Sequence, residues 1–385
     1  MMQRPVEPKL TEYLHSRAAR AGIPLNGTFE LTPCCNMACR MCYVRMTPEE
    51  QQAIAPLKTA AEWLKLAQTA KDSGMLYLLL TGGEPFLYPR FRELLEGLHK
   101  MGLVISVNTN GTLIDGKVLQ WLVNAPPMRL NITLYGASNE TYARLCGNPS
   151  GFDQAVRAIR LLRDAGLSVR LNCSVTPWNR DDLEGIFAFA EQEELCIQAT
   201  SYMFPPVRRD ETMFGRNSRF SPEEAAYEAA RISCLLNGKE AFLKRMESDA
   251  PQAMDGVLDE DCPDLPEQGE GMRCRAGKCS FWVTWKGDLL PCGMFPTENA
   301  PNVFAEGFLT AWDQAKQLVQ KIRLPGACAA CPVKNECRAC AAMSYTETGA
   351  FDRVPQYRCR MEQAYLPACR RLEKELRQKE ETDES

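Results

Sequence analysis

Three cysteines stand close together near the start of the chain with the spacing CxxxCxxC, at Cys35, Cys39 and Cys42. This spacing can hold three corners of an iron–sulfur cube while the fourth iron has no protein ligand. Sets of four cysteines usually close a structural site, so a group of three predicts a cluster that binds an exogenous ligand. The alternative from the residues alone is a zinc knuckle, completed by Cys34 or by a distant ligand.

Three small polar segments farther along the chain lie at or just after the ends of predicted strands. In Thr81-Gly82-Gly83-Glu84-Pro85 the glycines allow the backbone to approach a ligand, and Glu84 can hold a cation. The other two segments are Thr109-Asn110-Gly111-Thr112 and Asn131-Ile132-Thr133-Leu134-Tyr135-Gly136. Loops after the carboxyl ends of parallel strands meet at one rim, so we expect these segments and the cysteines to share a mouth.

A second group of eight cysteines lies in the C-terminal part of the chain and is large enough for two closed four-sulfur sites. Zinc ribbons built from CxxC pairs are the alternative. The eight are Cys274, Cys279, Cys292, Cys328, Cys331, Cys337, Cys340 and Cys359. The seven others are predicted to be buried small hydrophobes or bystanders: Cys34, Cys146, Cys173, Cys196, Cys234, Cys262 and Cys369.

Composition narrows the function classes. The chain has 385 residues, 45% of them hydrophobic, which suffices for a large core. Its 45 basic and 49 acidic side chains give no electrostatic signature of nucleic-acid binding. We find neither a long apolar run nor a secretory signal, so the sequence predicts a cytoplasmic protein without a membrane partner. In that reducing compartment 18 cysteines favour metal or cluster ligation over disulfides, and only two histidines argue against histidine-based zinc catalysis.

The elements that must position these residues alternate between short β-rich runs and longer amphipathic runs. Six such βα units predict an α/β fold with a partial (β/α)6 barrel. The predicted strands are Phe29–Thr32, Leu76–Leu80, Val104–Asn108, Arg129–Leu134, Ser168–Val175 and Leu195–Met203. The predicted helices include Thr59–Ser73, Arg90–Met101, Phe152–Ala165, Arg180–Gln192 and a single helix over Ser221–Glu247.

The chain is expected to divide into five parts. An acidic segment rich in proline and glycine predicts a linker before the cysteine-rich region. The expected parts are an N-terminal extension (1–27), the partial barrel (28–205), a bridging helix and linker (206–271), a cysteine-rich domain (272–369) and a charged tail (370–385).

With these motifs in place, the chain resembles the radical S-adenosylmethionine (radical SAM) enzymes, from Thr28 to Cys369. The resemblance implies that Cys35, Cys39 and Cys42 ligate a [4Fe-4S] cluster that binds and reductively cleaves SAM to a 5′-deoxyadenosyl radical. The residue before the third cysteine is usually aromatic in that family, whereas here it is Met41. The residues expected to contact SAM are Gly82, Gly83, Glu84, Thr109, Asn110, Thr133 and Asn172.

The C-terminal cysteines resemble the SPASM extension of radical SAM enzymes, because Gly287-x4-Cys292 is followed by a Cx2Cx5C run. The gap from Cys337 to Cys340 is one residue shorter than the family pattern. The resemblance implies two auxiliary [4Fe-4S] clusters, for a total of three. The first set is Cys274, Cys279, Cys292 and Cys340, and the second is Cys328, Cys331, Cys337 and Cys359. An open iron on the first auxiliary cluster is an alternative that the sequence leaves open.

Proteins of this kind most often modify peptides or proteins, so the resemblance implies formation of a crosslink or thioether in a ribosomally made peptide. Formylglycine formation in sulfatases is less favoured, because that subfamily carries an aspartate where this chain has Gly293. Maturation of a haem or quinone cofactor is a further alternative. A pure iron–sulfur electron-transfer module has no use for Glu84 and an open trio. The implied partners are a peptide substrate, a reductant such as flavodoxin or ferredoxin, and a separate leader-binding protein.

Overall fold

The computed structural model describes residues 9–206, 219–247, 271–329, 331, 333–334 and 336–383. Most of the predicted acidic linker, including Cys262, lies outside these residues. Across the described ranges, no helix combines the length and the apolar character needed to cross a membrane.

An eight-stranded sheet forms the centre of the molecule, with the strand order β6-β5-β4-β3-β2-β1-β7-β8. Neighbouring strands from β6 to β7 are parallel, and β8 runs antiparallel to β7. The six predicted strands and their parallel arrangement are confirmed. The strands are β1 (Asn26–Glu30), β2 (Tyr77–Thr81), β3 (Val104–Thr109), β4 (Arg129–Thr133), β5 (Val169–Ser174), β6 (Ile197–Thr200), β7 (Ser280–Val283) and β8 (Leu289–Leu290).

Fifteen α-helices are found among the described residues. The first eight are α1 (Leu10–Ala21), α2 (Pro48–Ile54), α3 (Ala60–Asp72), α4 (Phe91–Lys100), α5 (Gly116–Asn124), α6 (Asn139–Cys146), α7 (Gly151–Asp164) and α8 (Leu183–Gln192). The other seven are α9 (Pro222–Asn237), α10 (Lys239–Met246), α11 (Val303–Glu306), α12 (Phe308–Lys321), α13 (Gly326–Ala329), α14 (Ala341–Thr348) and α15 (Gln356–Asp383). Short 3₁₀ turns occupy Pro85–Leu87 and Arg180–Asp182.

The prediction of one helix over Ser221–Glu247 is wrong, because two helices occupy this stretch. Ser221 does begin α9, where its hydroxyl accepts the N–H of Glu224 in a capping box. Gly238 then takes φ 85° and ψ 147°, which ends α9 and reorients the chain into α10. A positive φ of this size favours glycine, so the break has a local cause in the sequence.

The two faces of the sheet differ in chemistry. Side chains such as Phe29, Leu80 and Leu171 alternate along the strands and are fully buried beneath the helices. On the opposite face, Asn131 donates through Nδ2 to Oδ1 of Asn108 over 2.8 Å, across the β3–β4 pair. The apolar face holds the barrel together, and the polar face lines its interior.

The C-terminal region builds directly onto the barrel. Strand β7 pairs in parallel with β1, and Phe281 on β7 belongs to the same buried core as the barrel strands. Trp312 of α12 donates its indole N–H to the carbonyl of Gly22 over 2.9 Å. Helix α15 packs along α9. These contacts place the C-terminal cysteines beside the barrel.

Candidate metal centre

The three cysteines of the CxxxCxxC segment lie together in the loop after β1, at the carboxyl end of the strand. The backbone N–H of Met37 donates to Sγ of Cys35 over 3.4 Å, and that of Arg45 donates to Sγ of Cys42 over 3.3 Å. Burial raises the pKa of the Cys35 thiol to about 12, and the nearby charges of Glu84, Cys39 and Cys42 add to the effect. A metal must displace these protons to bind.

This loop suits an iron–sulfur cluster because two of its three sulfur atoms already receive backbone N–H groups. Hydrogen bonds to ligating sulfurs are a regular feature of such clusters and influence their potentials. Among the described residues, no three His, Cys, Asp or Glu side chains converge on a point where one metal ion can sit. Ligands of an iron–sulfur cube each bind a different iron atom, so their sulfur atoms need not converge in that way.

The end of α6 holds the cysteine loop from the other side. The carbonyls of Cys146 and Leu145 accept the N–H groups of Ala38 and Arg40 over 2.8 and 3.0 Å. The Cys146 thiol is fully buried and hydrogen-bonds with Cys39. That contact, followed by burial, holds the pKa of Cys39 well above its usual value. The predicted burial of Cys146 is therefore confirmed, but its position against a predicted cluster ligand was not foreseen.

Tyr135 is a second neighbour of Cys39 that the sequence analysis did not single out. Its hydroxyl hydrogen-bonds with Cys39, and its phenol lies near the charges of Cys35, Cys42 and Cys146 as well. Burial first, and then these charges, hold the pKa of the phenol well above its usual value. Tyr135 lies two residues after the end of β4, so its place at the rim of the barrel was the available signal.

Gly82 and Gly83 press against the backbone that leads into the cysteine loop. A Cβ atom at Gly83 would lie 2.4 Å from the carbonyl oxygen of Cys34, and one at Gly82 would lie 2.4 Å from that of Thr32. The N–H of Gly83 donates to the carbonyl of Thr32 over 2.6 Å, and that of Glu84 to the carbonyl of Cys34 over 2.9 Å. These glycines allow the loops after β1 and β2 to join.

Glu84 is fully buried at the centre of the rim. Its Oε1 accepts the Thr109 hydroxyl over 2.8 Å and the Phe86 N–H over 3.2 Å, while Oε2 accepts the Asn110 N–H over 2.9 Å. Burial raises the pKa of this carboxyl to about 7, although the three donors oppose the shift. In this structure Glu84 ties the loop after β2 to the loop after β3.

Asn110 extends this network to the cysteine loop. Its Nδ2 donates to Oδ1 of Asn36 over 2.9 Å and approaches Sγ of Cys35 at 3.8 Å. Thr112 donates to Oδ1 of Asn110 through its backbone N–H and through its hydroxyl, over 2.9 and 2.7 Å. The hydroxyl of Thr112 in turn accepts Nδ2 of Asn36 over 2.8 Å. The polar segment after β3 thus binds the cysteine loop through hydrogen bonds to Asn36. This agrees with the expectation that these loops meet at one rim of the barrel.

Thr133 and Asn172 are register partners on neighbouring strands β4 and β5. Both lie at the carboxyl half of the barrel, on the polar face that also carries Asn131. The register therefore brings Thr133 and Asn172 together, and their contacts with the ribose and carboxylate of SAM stay a prediction.

Of the first C-terminal set, Cys274, Cys292 and Cys340 lie together in one partly apolar cluster. Burial raises the pKa of Cys340 to about 12, and the charges of Cys274 and Cys292 raise it further. Cys279 is fully buried just before β7, where it packs with Ala18 and Leu25.

The second set converges around Cys328. The charges of Cys337, Cys359 and Cys331 all act on its thiol, whose pKa is raised first by burial. One side-chain donor also approaches this set, because Nε2 of Gln363 donates to Sγ of Cys359 over 3.7 Å.

Two comparisons with known proteins agree with this geometry. Residues 29–190 match the profile described as the Radical SAM superfamily. The AdoMet-dependent heme synthase of Methanosarcina barkeri is 26% identical over 335 residues, which cover 84% of this chain and 93% of that protein. The antilisterial bacteriocin subtilosin biosynthesis protein AlbA of Bacillus subtilis is 28% identical over 292 residues, which cover 74% of this chain and 59% of AlbA.

Solved structures show the same fold. SuiB of Streptococcus suis bound to S-adenosylmethionine superposes with a TM-score of 0.63 at 19% identity, covering 87% of this chain and 78% of SuiB. SuiB bound to its precursor peptide SuiA also gives a TM-score of 0.63, at 17% identity, covering 93% of this chain and 84% of SuiB. These likenesses confirm the partial barrel.

Proposed function

We propose that this chain, whose residues 29–190 match the Radical SAM superfamily profile, is a radical SAM maturase that oxidatively modifies a peptide or protein. Enzymes of this superfamily use SAM and a [4Fe-4S] cluster, which together supply a 5′-deoxyadenosyl radical for hydrogen abstraction. We assign the cluster to Cys35, Cys39 and Cys42. The observation that carries this assignment is the gathering of these three cysteines, with N–H donors on two of their sulfurs.

We assign the methionine end of SAM to the rim formed by Gly82, Gly83 and Glu84. The loop backbone is the part of this rim that can face a ligand, since the Glu84 carboxylate already accepts three donors. Thr133 and Asn172 are the proposed ribose and carboxylate contacts, because they are paired neighbours on the polar face. Thr109 and Asn110 act through Glu84, to which both donate.

We further propose that residues 272–369 form a SPASM domain with two auxiliary [4Fe-4S] clusters. The mutual interactions of Cys328, Cys331, Cys337 and Cys359 support the second site. The interactions of Cys340 with Cys274 and Cys292 support three ligands of the first. Cys279 is the proposed fourth ligand. An auxiliary cluster can accept the electron that a substrate radical must lose, which makes a net two-electron oxidation feasible.

A peptide or protein is the favoured substrate class. Support comes from SuiB, which shares the fold and is seen with a precursor peptide. The polar face of the sheet, which carries Asn108, Asn131 and Asn172, offers donors and acceptors that suit a peptide backbone. A reductant such as flavodoxin or ferredoxin and a separate leader-binding protein are the further proposed partners.

Haem maturation is the second candidate function. The similarity to the heme synthase of Methanosarcina barkeri favours it, because that relative is matched over nearly its whole length. The two candidates differ in the group that loses hydrogen, a peptide residue in one case and a tetrapyrrole side chain in the other. Anaerobic incubation with SAM, reductant and either a precursor peptide or an iron tetrapyrrole, followed by mass spectrometry, separates them.

The experiment that tests the cluster assignment counts iron, sulfide and zinc in the anaerobically reconstituted protein. About twelve irons per chain are expected, falling to about eight when Cys35, Cys39 and Cys42 are all replaced by alanine. The triple variant should make no 5′-deoxyadenosine. Cys331→Ala is the matched variant, which should keep SAM cleavage at least in part and lose product formation.

Two results would contradict the proposal in different ways. If the triple variant still produced 5′-deoxyadenosine, the cluster would not be held by these cysteines. About four irons together with zinc would mean that the C-terminal cysteines form structural zinc sites. The proposed two-electron oxidation through an auxiliary cluster would then be refuted.

A further inference from the structure

A basic patch, formed by Arg40 and Arg144 with Trp178 between them, lies where the cysteine loop meets the end of α6. Arg40 stands in the loop directly after Cys39, and Arg144 lies in the last turn of α6. Both arginines are exposed, and Trp178 is half-buried. Among the described residues, no carboxylate forms an ion pair with either arginine. The two charges therefore face solvent without an internal partner.

The members of the basic patch hold one another in place. The guanidinium carbon of Arg40 lies 4.1 Å from the centroid of the Trp178 ring, and its Nε donates to the carbonyl of Arg144 over 2.9 Å. Nη2 of Arg144 donates to the carbonyl of Trp178 over 2.8 Å. The backbone N–H of Arg40 donates to the carbonyl of Leu145 over 3.0 Å. Side chains fixed in this way lose little conformational entropy when a partner binds.

The charge around the basic patch is mostly of one sign. Residues 34–47 contain Arg40 and Arg45 but neither Asp nor Glu. On α6 the acidic residue is Glu140, one turn before Arg144, and the two form no ion pair. A surface of one sign attracts a partner of the opposite sign and speeds its association. Tryptophan and arginine are also enriched among the residues that contribute most to binding at interfaces.

We propose that the basic patch is the docking surface for the acidic carrier protein that supplies the electron for SAM cleavage. The position favours an electron carrier over other acidic partners, because Arg40 is the chain neighbour of Cys39 and electrons pass quickly between proteins only over short distances. The step is the transfer of one electron from the reduced carrier to the cluster, with no bond made or broken. The inference rests on the proposed function in that the cysteine loop must hold the cluster.

The test compares two charge reversals of equal size. Arg144→Glu changes the basic patch without altering the sequence of the cysteine loop. Lys100→Glu is the matched control, since Lys100 is exposed at the end of α4, which leads into the amino end of β3. The cysteine loop follows the carboxyl end of β1, and these strands are parallel, so Lys100 lies at the opposite edge of the sheet.

Two quantities are measured without oxygen and at low salt on the full reconstituted chain, with flavodoxin as the probe. The first is the rate at which 5′-deoxyadenosine forms from SAM with reduced flavodoxin, which should fall about tenfold or more in Arg144→Glu. The second is the affinity for oxidised flavodoxin by calorimetry, which should fall in the same variant. Photoreduced 5-deazariboflavin, a small uncharged reductant, needs no docking surface and should serve both variants and the wild type equally.

The proposal would be overturned if Arg144→Glu bound flavodoxin and used its electrons as well as Lys100→Glu does. Equal losses in both variants would also overturn it, because net charge rather than the basic patch would then govern binding. If Arg144→Glu binds less iron, Arg144→Gln decides by the same two measurements, and values equal to those of the wild type would refute the proposal. Failure of the proposed function looks different, because the wild type would then form no 5′-deoxyadenosine with 5-deazariboflavin.

Discussion

Replacement of Gly83 by alanine tests whether the loop after β2 supports the cysteine loop as the structure shows. The added Cβ would lie 2.4 Å from the carbonyl oxygen of Cys34 and 2.5 Å from that of Pro33. Both atoms belong to backbone, so neither can move aside without moving the cysteine loop. The backbone there is tied by the N–H of Gly83 to Thr32 and by the N–H of Glu84 to Cys34.

The cost can be worked out from these contacts. Separation of the loops removes two hydrogen bonds, each worth about 1 kcal/mol, from the folded state. If the loops stay together instead, the overpacked site costs about 1–3 kcal/mol. We therefore expect Gly83→Ala to lower the free energy of unfolding by about 2–3 kcal/mol, a large part of the typical margin of about 5–15 kcal/mol. Because the cysteine loop is displaced, iron bound after reconstitution should fall as well.

The assay is anaerobic urea unfolding of the variant, combined with an iron count. Gly116→Ala is the matched control, because Gly116 begins α5 and a Cβ there meets nothing within 4 Å. This control should be neutral or slightly stabilising, since alanine is favoured over glycine in helices. If Gly83→Ala unfolded at the same urea concentration as Gly116→Ala and bound the same iron, the close packing of the two loops would be refuted.

Two further predictions concern buried carboxylates. Burial raises the pKa of Glu84 from 4.5 to about 7, so the folded state binds more protons and stability should fall as pH rises through this window, by about 3 kcal/mol in all. Glu84→Gln should abolish this dependence when the free energy of urea unfolding is measured at several pH values. An equal slope of this free energy against pH in the wild type and the variant would contradict the prediction. Glu228 is fully buried between Arg180 and Arg231, so Glu228→Ala should cost about 3–5 kcal/mol in thermal or urea unfolding. The exposed pair of Glu223 with Arg360 should contribute no more than about 1 kcal/mol to the free energy of unfolding. If Glu223→Ala lost as much of this free energy as Glu228→Ala, the distinction between buried and exposed carboxylates would be refuted.

The sequence predicts the barrel well because each strand carries its own signal. Alternating apolar residues and flanking glycines mark β2 through β5 to within about two residues at either end. The prediction of the sixth strand is the least accurate. It placed the strand at Leu195–Met203, whereas the strand in the structure has four residues, Ile197–Thr200. The β-rich composition of that run continues past the point where a neighbouring strand provides hydrogen bonds.

Contacts between distant parts of the chain could not be predicted in the same way. The pairing of β7 with β1 joins residues some 250 positions apart, and no local pattern specifies it. The break between α9 and α10 did have a local signal in Gly238, but helical periodicity on both sides outweighed it in the prediction. In each case the tertiary arrangement decides between local structures that the sequence allows.

In the candidate site, too, features that are local in the sequence could be predicted and contacts between distant elements could not. Spacing alone identifies Cys35, Cys39 and Cys42, because the ligands of one cluster come from one loop. The neighbours of these cysteines come from other elements, as Tyr135 follows β4 and Cys146 ends α6. The folded barrel brings both residues to Cys39, and spacing in the sequence does not identify them as its neighbours.

Gly293 shows how the structure adds a physical reason to a sequence difference. An aspartate at this position is expected of sulfatase-maturing relatives, and its absence was the argument against that function. A Cβ atom at Gly293 would lie 2.9 Å from the ring of Trp282, whose indole N–H donates to Oε2 of Glu30 over 3.1 Å. Since β7 also pairs Trp282 with Thr28, the ring is held by the barrel itself. An aspartate beside Cys292 would therefore have to displace Trp282, so the packing between barrel and cysteine-rich region disfavours a base at this position.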